Sequence, residues 1–327
     1  MTREHDIVLV GATGFTGGLT AEYLLRHAPA GLRWALAGRN PEKLEAVRAR
    51  LADIDPRAAD LPLLHADATD PASLADLAAS TRVVITTVGP YLEHGGPLVA
   101  ACAEAGTDYV DLTGEPEFVD RTYLECHATA ERTGARIVHA CGFDSVPHDL
   151  GAMYTVRQLA ATGPVRVRGV VRSSGTFSGG TFHSALGQFS RARQMRSAIQ
   201  ERRRAEPRPE GRRSRAVSGK PHRDPVLGYW LVPLPTIDPF VIARSGAASA
   251  AYGPDFSYPH YAGTTTLRYA AGGAAAAIAM FGAAQVPPLR SFLLGRVPQG
   301  EGPDERRRST SWFTVDFVGE GDGRTVH

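Results

Sequence analysis

Cysteine is scarce in this chain, and its arrangement suits neither disulfides nor a metal site. Cys102, Cys126 and Cys141 are the only three among 327 residues, and none of them form a Cys-x-x-Cys pair. This odd number predicts reduced thiols in a cytoplasmic protein and excludes a disulfide-dense secreted scaffold. A signal peptide is also missing, because the charged first residues precede only a short apolar run that is typical of a strand.

A strong excess of charge of one sign is lacking as well. The net charge is +2, which argues against a polyanion-binding molecule as a whole. The basic residues are nevertheless concentrated, with twelve Lys or Arg against three acidic residues in 191–223. Two interpretations stay open: a solvated, mobile loop over 201–225, or a contact with an acidic carrier protein, a CoA phosphate or anionic lipid. The run has no interleaved aromatic residues, so no nucleic-acid partner is expected.

The first 140 residues alternate apolar runs with helical patterns. Because the runs are continuously apolar, they predict a parallel sheet covered on both faces. Helices are predicted over 14–27, 40–51, 70–80, 96–105 and 117–133. The six predicted strands are DIVLV, LRWALAG, LPLLHAD, RVVITTVG, DYVDLTG and ARIVHACG. The predicted fold class is α/β, with an N-terminal doubly wound parallel sheet over 1–147 and a second α+β domain over 148–327.

In the second half, the regular alternation of strand and helix patterns ends. A helix is predicted over 148–160 and another within 179–200. An uncharged, Ala-rich stretch around 270–286 is interrupted by Pro287 and Pro288, which favours a packed or membrane-interface helix over a spanning one. The chain ends on one strand and the start of a second, which suggests either a truncated fold or a short frayed arm. Strands are predicted at VRVRGVVRSSG, GYWLVPL, FVIARSG, TTLRYAAG and SWFTVDFVG.

The stretch LVGATGFTGGLT, residues 9–20, places three glycines directly after the first predicted strand. Gly11 would allow the tight turn, Gly14 would let a pyrophosphate approach the backbone, and Gly17 would let the helix pack against the sheet. The helix N-terminus would hold the phosphates. The predicted cofactor-binding turn comprises Gly11, Thr13, Gly14, Phe15, Thr16 and Gly17.

The end of the second strand indicates which dinucleotide is bound. NAD sites carry an acidic residue there, whereas this chain has Arg39, with Lys43 one turn later. A guanidinium suits a 2′-phosphate, so NADP(H) is the predicted cofactor, unless Arg39 is an ordinary surface charge. Asp67 follows the third strand and is either an adenine contact or a helix-start carboxylate. Gly89 and Pro90 follow the fourth strand, where bare backbone would let the dinucleotide lie close.

Several segments together resemble the saccharopine dehydrogenase-like oxidoreductases, in particular the trans-acting enoyl reductases. The resemblance implies a Rossmann-type domain, NADP(H), a second domain with substrate and homodimer surfaces, and reduction of carbon–carbon double bonds in polyketide-derived lipid chains. An opine-type imine reductase and a non-catalytic NADP-binding, membrane-associated protein stay open as alternatives. The segments are VGATGFTG, AGRNPEKL, VGPYLEHG, GTDYVDLTGE, CGFDSVPHDLG, SSGTFSGGTFHSAL and AYGPDFSYPHYAG.

Two residues are candidates for the chemistry. Tyr91 could donate a hydrogen bond to the substrate carbonyl, or could simply be a packed aromatic residue. Asp144 could orient the substrate or the nicotinamide amide, or could cap the following helix. No tyrosine has a lysine four residues later, which argues against the short-chain dehydrogenase mechanism. An acyl or polyketide chain, presented by a carrier, is the expected substrate, and peripheral membrane contact is left open.

Overall fold

The computed structural model describes residues 3–143, 145–175, 178–297 and 301–327, which form two sheets flanked by helices. The first sheet is entirely parallel, with the strand order β3-β2-β1-β4-β5-β6. The order reverses between β1 and β4, which opens a crevice at their carboxyl ends. The strands are β1 (His5–Val10), β2 (Trp34–Gly38), β3 (Leu63–His65), β4 (Thr81–Thr86), β5 (Asp108–Asp111) and β6 (Ile137–Val138).

Six helices connect these strands, and the predicted start signals operate as expected. Asn40 accepts a hydrogen bond from the Lys43 N–H at 2.8 Å, and Asp70 accepts one from the Ala72 N–H at 3.1 Å. Gly106, with φ of 66°, ends the fifth helix in the left-handed conformation. The helices are α1 (Phe15–His27), α2 (Pro41–Ile54), α3 (Pro71–Ser80), α4 (Tyr91–His94), α5 (Gly96–Ala105) and α6 (Pro116–Thr133), with a 3-10 turn at Pro56–Asp60.

The second sheet is mixed and is organised around its longest central strand, β7. β7 pairs in parallel with β11 and β12, and antiparallel with β13. The predicted α+β character of the second half is therefore confirmed. The strands are β7 (Val165–Ser173), β8 (Arg213–Ala216), β9 (His222–Arg223), β10 (Trp230–Pro233), β11 (Asp255–Tyr258), β12 (His260–Thr264), β13 (Phe313–Gly321) and β14 (Arg324–Val326).

Helices of the second half pack against the second sheet and against helix α6 and the loops of the first half. The predicted break at Pro287 separates two of them. Among the described residues, the longer of these two is the one helix long and apolar enough to cross a membrane, by length and composition, and 11% of its apolar window is buried. The helices are α7 (Val146–Leu159), α8 (Gly179–Ser190), α9 (Ala192–Ala205), α10 (Asp238–Ala248), α11 (Leu267–Gln285), α12 (Pro287–Arg296) and α13 (Glu305–Thr310), with a 3-10 turn at Ala250–Tyr252.

The apolar core follows the two sheets. One cluster on the first sheet includes Val8, Val84 and Tyr109, and a second includes Leu9 and Leu36. Neighbouring residues of β1 therefore serve different clusters, as expected for a sheet covered on both faces. A third cluster fills the space between α7 and the second sheet. The domain division at residue 147 stays a prediction, since helices α8 and α9 of the second half pack against the first sheet's helices and loops.

Two strand predictions in the second half are wrong. FVIARSG lies within helix α10, because Pro239 occupies its first turn and Pro239, Ile242 and Gly246 form one buried face with helical spacing. Most of TTLRYAAG lies in helix α11, whose N-cap position is Thr266. The three consecutive threonines favour a strand locally, but the Ala-rich residues that follow have strong helix propensity.

The expectation of a mobile loop over 201–225 is also wrong. Residues up to Ala205 continue helix α9, and strands β8 and β9 follow. Arg202 is buried because it pairs with Asp120 and Glu206. Arg212 donates hydrogen bonds to carbonyl oxygens at the end of α10. Both arginines therefore bind partners within the chain and are not free in solvent. The composition of the run alone does not reveal these partners.

Candidate cofactor site and active site

The glycine turn between β1 and α1 has the geometry that each glycine was predicted to provide. Gly11 has a φ of 88°, and a Cβ on it would lie 2.7 Å from the Val88 side chain. A Cβ on Gly17 would lie 2.1 Å from the Gly11 carbonyl oxygen, so α1 can approach β1 this closely only with glycine there. A Cβ on Gly14 would meet nothing nearer than 3.5 Å. The space beside Gly14 can thus receive a ligand.

The start of α1 suits an anion. Gly14 is its N-cap residue, and no side chain caps this helix end within the described residues. The first turn contains no acidic residue, so its N–H groups and the helix dipole can interact with phosphate oxygens. Thr13 is exposed, while Phe15 and Thr16 are half-buried. The turn therefore fits a pyrophosphate, although the contact of each residue with the cofactor stays a prediction.

Arg39 lies directly beyond the carboxyl end of β2, beside the glycine turn. The Gly11 N–H donates to the Ala37 carbonyl oxygen at 3.0 Å, which fixes the two segments against each other. Arg39 and Lys43 are exposed, and both side chains are without a hydrogen bond or ion pair in the described part of the chain. These two cations are consequently available to a 2′-phosphate.

Asp67 occupies the loop after β3, close to Arg39. Its Oδ1 accepts hydrogen bonds from the N–H and the hydroxyl of Thr69, both at 2.8 Å. These bonds, with a smaller contribution from the Arg39 charge, lower the pKa of the Asp67 carboxyl. Asp67 therefore stabilises the loop in which it lies. Its contact with adenine stays a prediction.

The segment after β4 brings Gly89, Pro90 and Tyr91 to the crevice. A Cβ on Gly89 would lie 3.5 Å from the Tyr91 ring and 4.0 Å from the Ser184 hydroxyl oxygen, so the predicted close approach of the dinucleotide to Gly89 and Pro90 stays a prediction. Tyr91 is only 4% exposed, its hydroxyl donates to the Thr86 carbonyl oxygen at 3.2 Å, and burial raises the pKa of the phenol. In this conformation Tyr91 is a packed aromatic residue. Its role as a hydrogen-bond donor to substrate stays a prediction that requires it to release Thr86.

Glu115 joins the crevice loops to the second half of the chain. Its buried carboxylate accepts hydrogen bonds from the N–H groups of Tyr91 at 3.1 Å and Leu92 at 2.9 Å. It also accepts one from the Ser184 hydroxyl of α8 at 2.7 Å. Gln188, one turn further along α8, donates to the Gly114 carbonyl oxygen at 2.5 Å. Helix α8 thus forms a wall of the crevice, a role that the sequence pattern of Glu115 did not indicate.

A second buried carboxylate, Asp111, organises the end of β5. Its Oδ1 accepts from the backbone N–H groups of Thr113 at 3.0 Å and Ala140 at 2.9 Å. Its Oδ2 contacts His139 Nδ1 at 2.7 Å and accepts from the Tyr109 hydroxyl at 3.0 Å. These contacts fix the neighbouring loops after β5 and β6. Sequence analysis did not single out Asp111, and its position as the last residue of an apolar strand was the available clue.

The last part of the chain returns to the glycine turn. A Cβ on Gly302 would lie 2.4 Å from the Phe15 ring, which shows how closely this segment covers the start of α1. The Arg308 guanidinium lies 5.6 Å from the centre of the same ring. Arg308 also donates to the Pro303 carbonyl oxygen at 2.9 Å. A basic segment of the second half is therefore adjacent to the predicted phosphate site.

The other predicted chemical residue, Asp144, lies outside the described residues. Its neighbour Phe143 is 43% exposed and contacts His148 edge to face. His148 belongs to a buried group with Asp238 and His260. Burial lowers the pKa of His148 to about 4 and that of His260 to about 3. Neither histidine is a solvent-exposed acid or base at the crevice.

With this geometry established, comparison with known proteins identifies the class. The fold and the turn are those of a dinucleotide-binding domain, and residues 7–138 match the saccharopine dehydrogenase NADP-binding domain. This confirms the predicted resemblance and the predicted NADP(H) cofactor. The match spans the glycine turn, Arg39 and the segment around Gly89.

Curated relatives with higher sequence identity carry the name trans-acting enoyl reductase. The chain is 54% identical over 194 residues to a putative trans-acting enoyl reductase of Mycobacterium tuberculosis, covering 58% of this chain and 45% of that protein. It is 52% identical over 161 residues to the trans-acting enoyl reductase of Mycobacterium ulcerans, covering 49% of this chain and 38% of that protein. The chain thus spans about half the length, or less, of these curated relatives.

A comparison of solved structures gives a more distant likeness. Saccharopine dehydrogenase (L-Glu forming) from Saccharomyces cerevisiae superimposes with a TM-score of 0.49 and 14% sequence identity. The superposition covers 80% of this chain and 54% of the yeast enzyme.

Proposed function

We propose that this chain supports NADPH-dependent reduction of a conjugated carbon–carbon double bond in a lipid or polyketide-derived acyl chain. The observation that carries the proposal is the glycine turn at the β1–β4 crevice with Arg39, not a carboxylate, beside it. The identity to trans-acting enoyl reductases supports the double bond as the reacting group. An imine reductase and a non-catalytic NADP-binding protein are the alternatives that the experiments below address.

The residues of the chain bind and position the reactants. When bound, NADPH supplies the hydride. The N–H groups at the start of α1 hold the phosphates, and Arg39 with Lys43 pairs with the 2′-phosphate. Enoyl reduction further requires a donor to the conjugated carbonyl and a proton for the α-carbon. Tyr91 is our proposed donor to the substrate carbonyl, after its hydroxyl has released the Thr86 carbonyl oxygen. Asp144 is our proposed residue for orienting the substrate or the nicotinamide amide.

The cofactor assignment is tested by fluorescence titration of the protein with NADPH and NADH. We expect at least a tenfold preference for NADPH, which corresponds to about 1.4 kcal/mol. Arg39→Ala should remove most of this preference without weakening NADH binding. Arg26→Ala is the matched control, because Arg26 is an exposed arginine in the last turn of α1, about 15 Å or more from the phosphate end. Equal affinity of the wild type for both dinucleotides would contradict the assignment.

The reaction is tested by transfer of deuteride from labelled NADPH. We expect the label at the β-carbon of an α,β-unsaturated acyl thioester, and loss of transfer in Asp144→Asn and Tyr91→Phe. Transfer only to an imine formed from an amino acid and a keto acid would favour the opine-type alternative. Tight NADPH binding without transfer to any substrate of either type would favour the non-catalytic alternative.

The trans-acting relatives suggest that the acyl chain arrives on a separate carrier. The exposed arginines of α9 lie on the helix that directly follows the crevice wall α8, and Arg193, Arg196, Arg203 and Arg204 are exposed. We propose that they contact an acidic carrier protein. Carrier-bound substrate should lose kcat/KM in Arg203→Glu at low salt, whereas the same acyl group on a short neutral thioester should not.

Peripheral membrane contact is a second proposed interaction, because α11 and α12 expose large apolar side chains. Ile278 is 74% exposed and Phe292 is 55% exposed. No acidic residue occurs between Asp255 and Glu301, which suits an anionic lipid surface. Co-sedimentation with anionic vesicles should fall in Ile278→Glu but not in the control Leu124→Glu on α6. Equal co-sedimentation of the wild type, Ile278→Glu and Leu124→Glu would contradict this contact.

The homodimer that the resemblance implies is also a proposal. Sedimentation velocity of the purified chain at several concentrations tests it directly. A single species with the mass of one chain across the range would contradict it.

A further inference from the structure

Two histidines and an aspartate converge in the core of the second half. His148 lies in the first turns of α7, Asp238 is the first residue of α10, and His260 is the first residue of β12. Their exposed fractions are 1%, 1% and 4%. The three side chains therefore meet, away from solvent, at a point where three separate elements join.

The nitrogen and oxygen atoms of this cluster are close enough to share one ion. His148 Nδ1 lies 3.1 Å from Asp238 Oδ1, and His260 Nε2 lies 3.8 Å from Asp238 Oδ2. One potential ligand atom from each residue lies within 4.8 Å of the others. Ligands at 2.0–2.1 Å from a tetrahedral zinc ion are about 3.4 Å apart. The two measured separations are near this value but involve different oxygens of Asp238, so an ion between the three residues would need the carboxylate to bind through both oxygens or to rotate.

The surroundings of His260 resemble those of metal-binding histidines. Its second ring nitrogen, Nδ1, lies 3.0 Å from the Tyr258 hydroxyl, which is itself buried. A partner on the second nitrogen fixes the ring and leaves Nε2 directed to the ion. The ring centres of His148 and His260 are 4.9 Å apart, and Phe143 covers His148. The cluster is thus enclosed by aromatic groups.

We propose that His148, Asp238 and His260 bind a divalent transition-metal ion, for which zinc is the best fit. Imidazole nitrogen and carboxylate oxygen are ligands that zinc accepts readily. With three protein ligands, a water molecule would take the fourth position of the ion. Because all three side chains are buried, substrate would not reach it, and the ion would stabilise the junction of α7, α10 and β12. The site is independent of the reaction proposed above.

The first test is the metal content of the purified wild-type chain, measured by mass spectrometry before and after incubation with zinc chloride and desalting. We expect about one zinc per chain after incubation. Asp238→Asn and His260→Gln should reduce the bound zinc about tenfold or more. His127→Gln is the matched control, because the His127 side chain on α6 is 46% exposed, and it should retain the zinc.

A second test keeps the proposal open to refutation if the variants do not fold. Zinc should raise the wild-type Tm, and a chelator should reverse the effect. Cobalt in place of zinc should give a spectrum without a thiolate charge-transfer band, as expected for nitrogen and oxygen ligands. Three results would overturn the proposal: no bound zinc after incubation, zinc retained by folded Asp238→Asn, or a thiolate band that places the ion at a cysteine.

Discussion

Removing the Glu115 carboxylate should destabilise the chain far more than removing an exposed glutamate. Its oxygens accept three hydrogen bonds, from the N–H groups of Tyr91 and Leu92 and from the Ser184 hydroxyl. Glu115 is 1% exposed, so in Glu115→Ala the buried Tyr91 N–H and the partly buried Leu92 N–H and Ser184 hydroxyl would lose their acceptor. At about 1–3 kcal/mol for each buried unsatisfied group, and allowing for partial relaxation, the free energy of unfolding should fall by about 3–5 kcal/mol.

Urea unfolding followed by circular dichroism measures this change, with Glu93→Ala on the exposed surface of α4 as the control. A double-mutant cycle with Ser184→Ala isolates the contact between the two halves. Because Glu115 and Ser184 share a hydrogen bond, we expect a coupling energy of about 0.5–3 kcal/mol. A loss in Glu115→Ala no larger than in Glu93→Ala, or no coupling to Ser184, would show that the carboxylate does not hold the crevice together.

Three further predictions follow from single contacts. Gly17→Ala should weaken NADPH binding at least tenfold, or by about 1.4 kcal/mol, because its Cβ would force α1 away from β1. Unchanged affinity in a fluorescence titration would contradict this prediction. Arg308→Ala should raise the NADPH Kd and flatten its salt dependence more than Arg306→Ala does, and equal effects would count against a phosphate contact. Asp322 accepts the Gly163 N–H at 3.1 Å and has a lowered pKa, mainly through backbone hydrogen bonds. Its stabilising contribution is fully present above about pH 4 and is lost progressively as the pH falls through the lowered pKa, so the decrease in Tm caused by Asp322→Asn should become smaller as the pH is lowered from 7.

The first half of the fold is predictable because its local signals agree with one another. The apolar strands, the caps at Asn40 and Asp70, and the spacing of Gly11, Gly14 and Gly17 all indicate the same parallel sheet. The position of Arg39 also follows, because the carboxyl ends of adjacent parallel strands meet at one edge. These features depend on residues near each other in sequence.

The second half was harder because long-range contacts decide its structure. FVIARSG has a strand-like composition, yet it forms α10 because one helical face is buried against the second sheet. Arg202 looks like part of a solvated run, yet its partner Asp120 lies 82 residues earlier. The roles of Glu115 and of the His148 cluster also require partners that only the folded chain brings together.

Helix α6 has a consequence for how the chain folds. Glu117 and Asp120 are buried on α6, and their partners are Arg191, on the α8–α9 connection, and Arg202 of α9. In an isolated fragment that ends after the first sheet, Glu117 would keep its ion pair with Arg121 but lose Arg191, and Asp120 would lose Arg202. We therefore expect that the parallel sheet will not unfold independently of α8 and α9, and that the two halves will denature in one cooperative transition. A protein divided at residue 147 would recover its native state only through reassociation of both fragments.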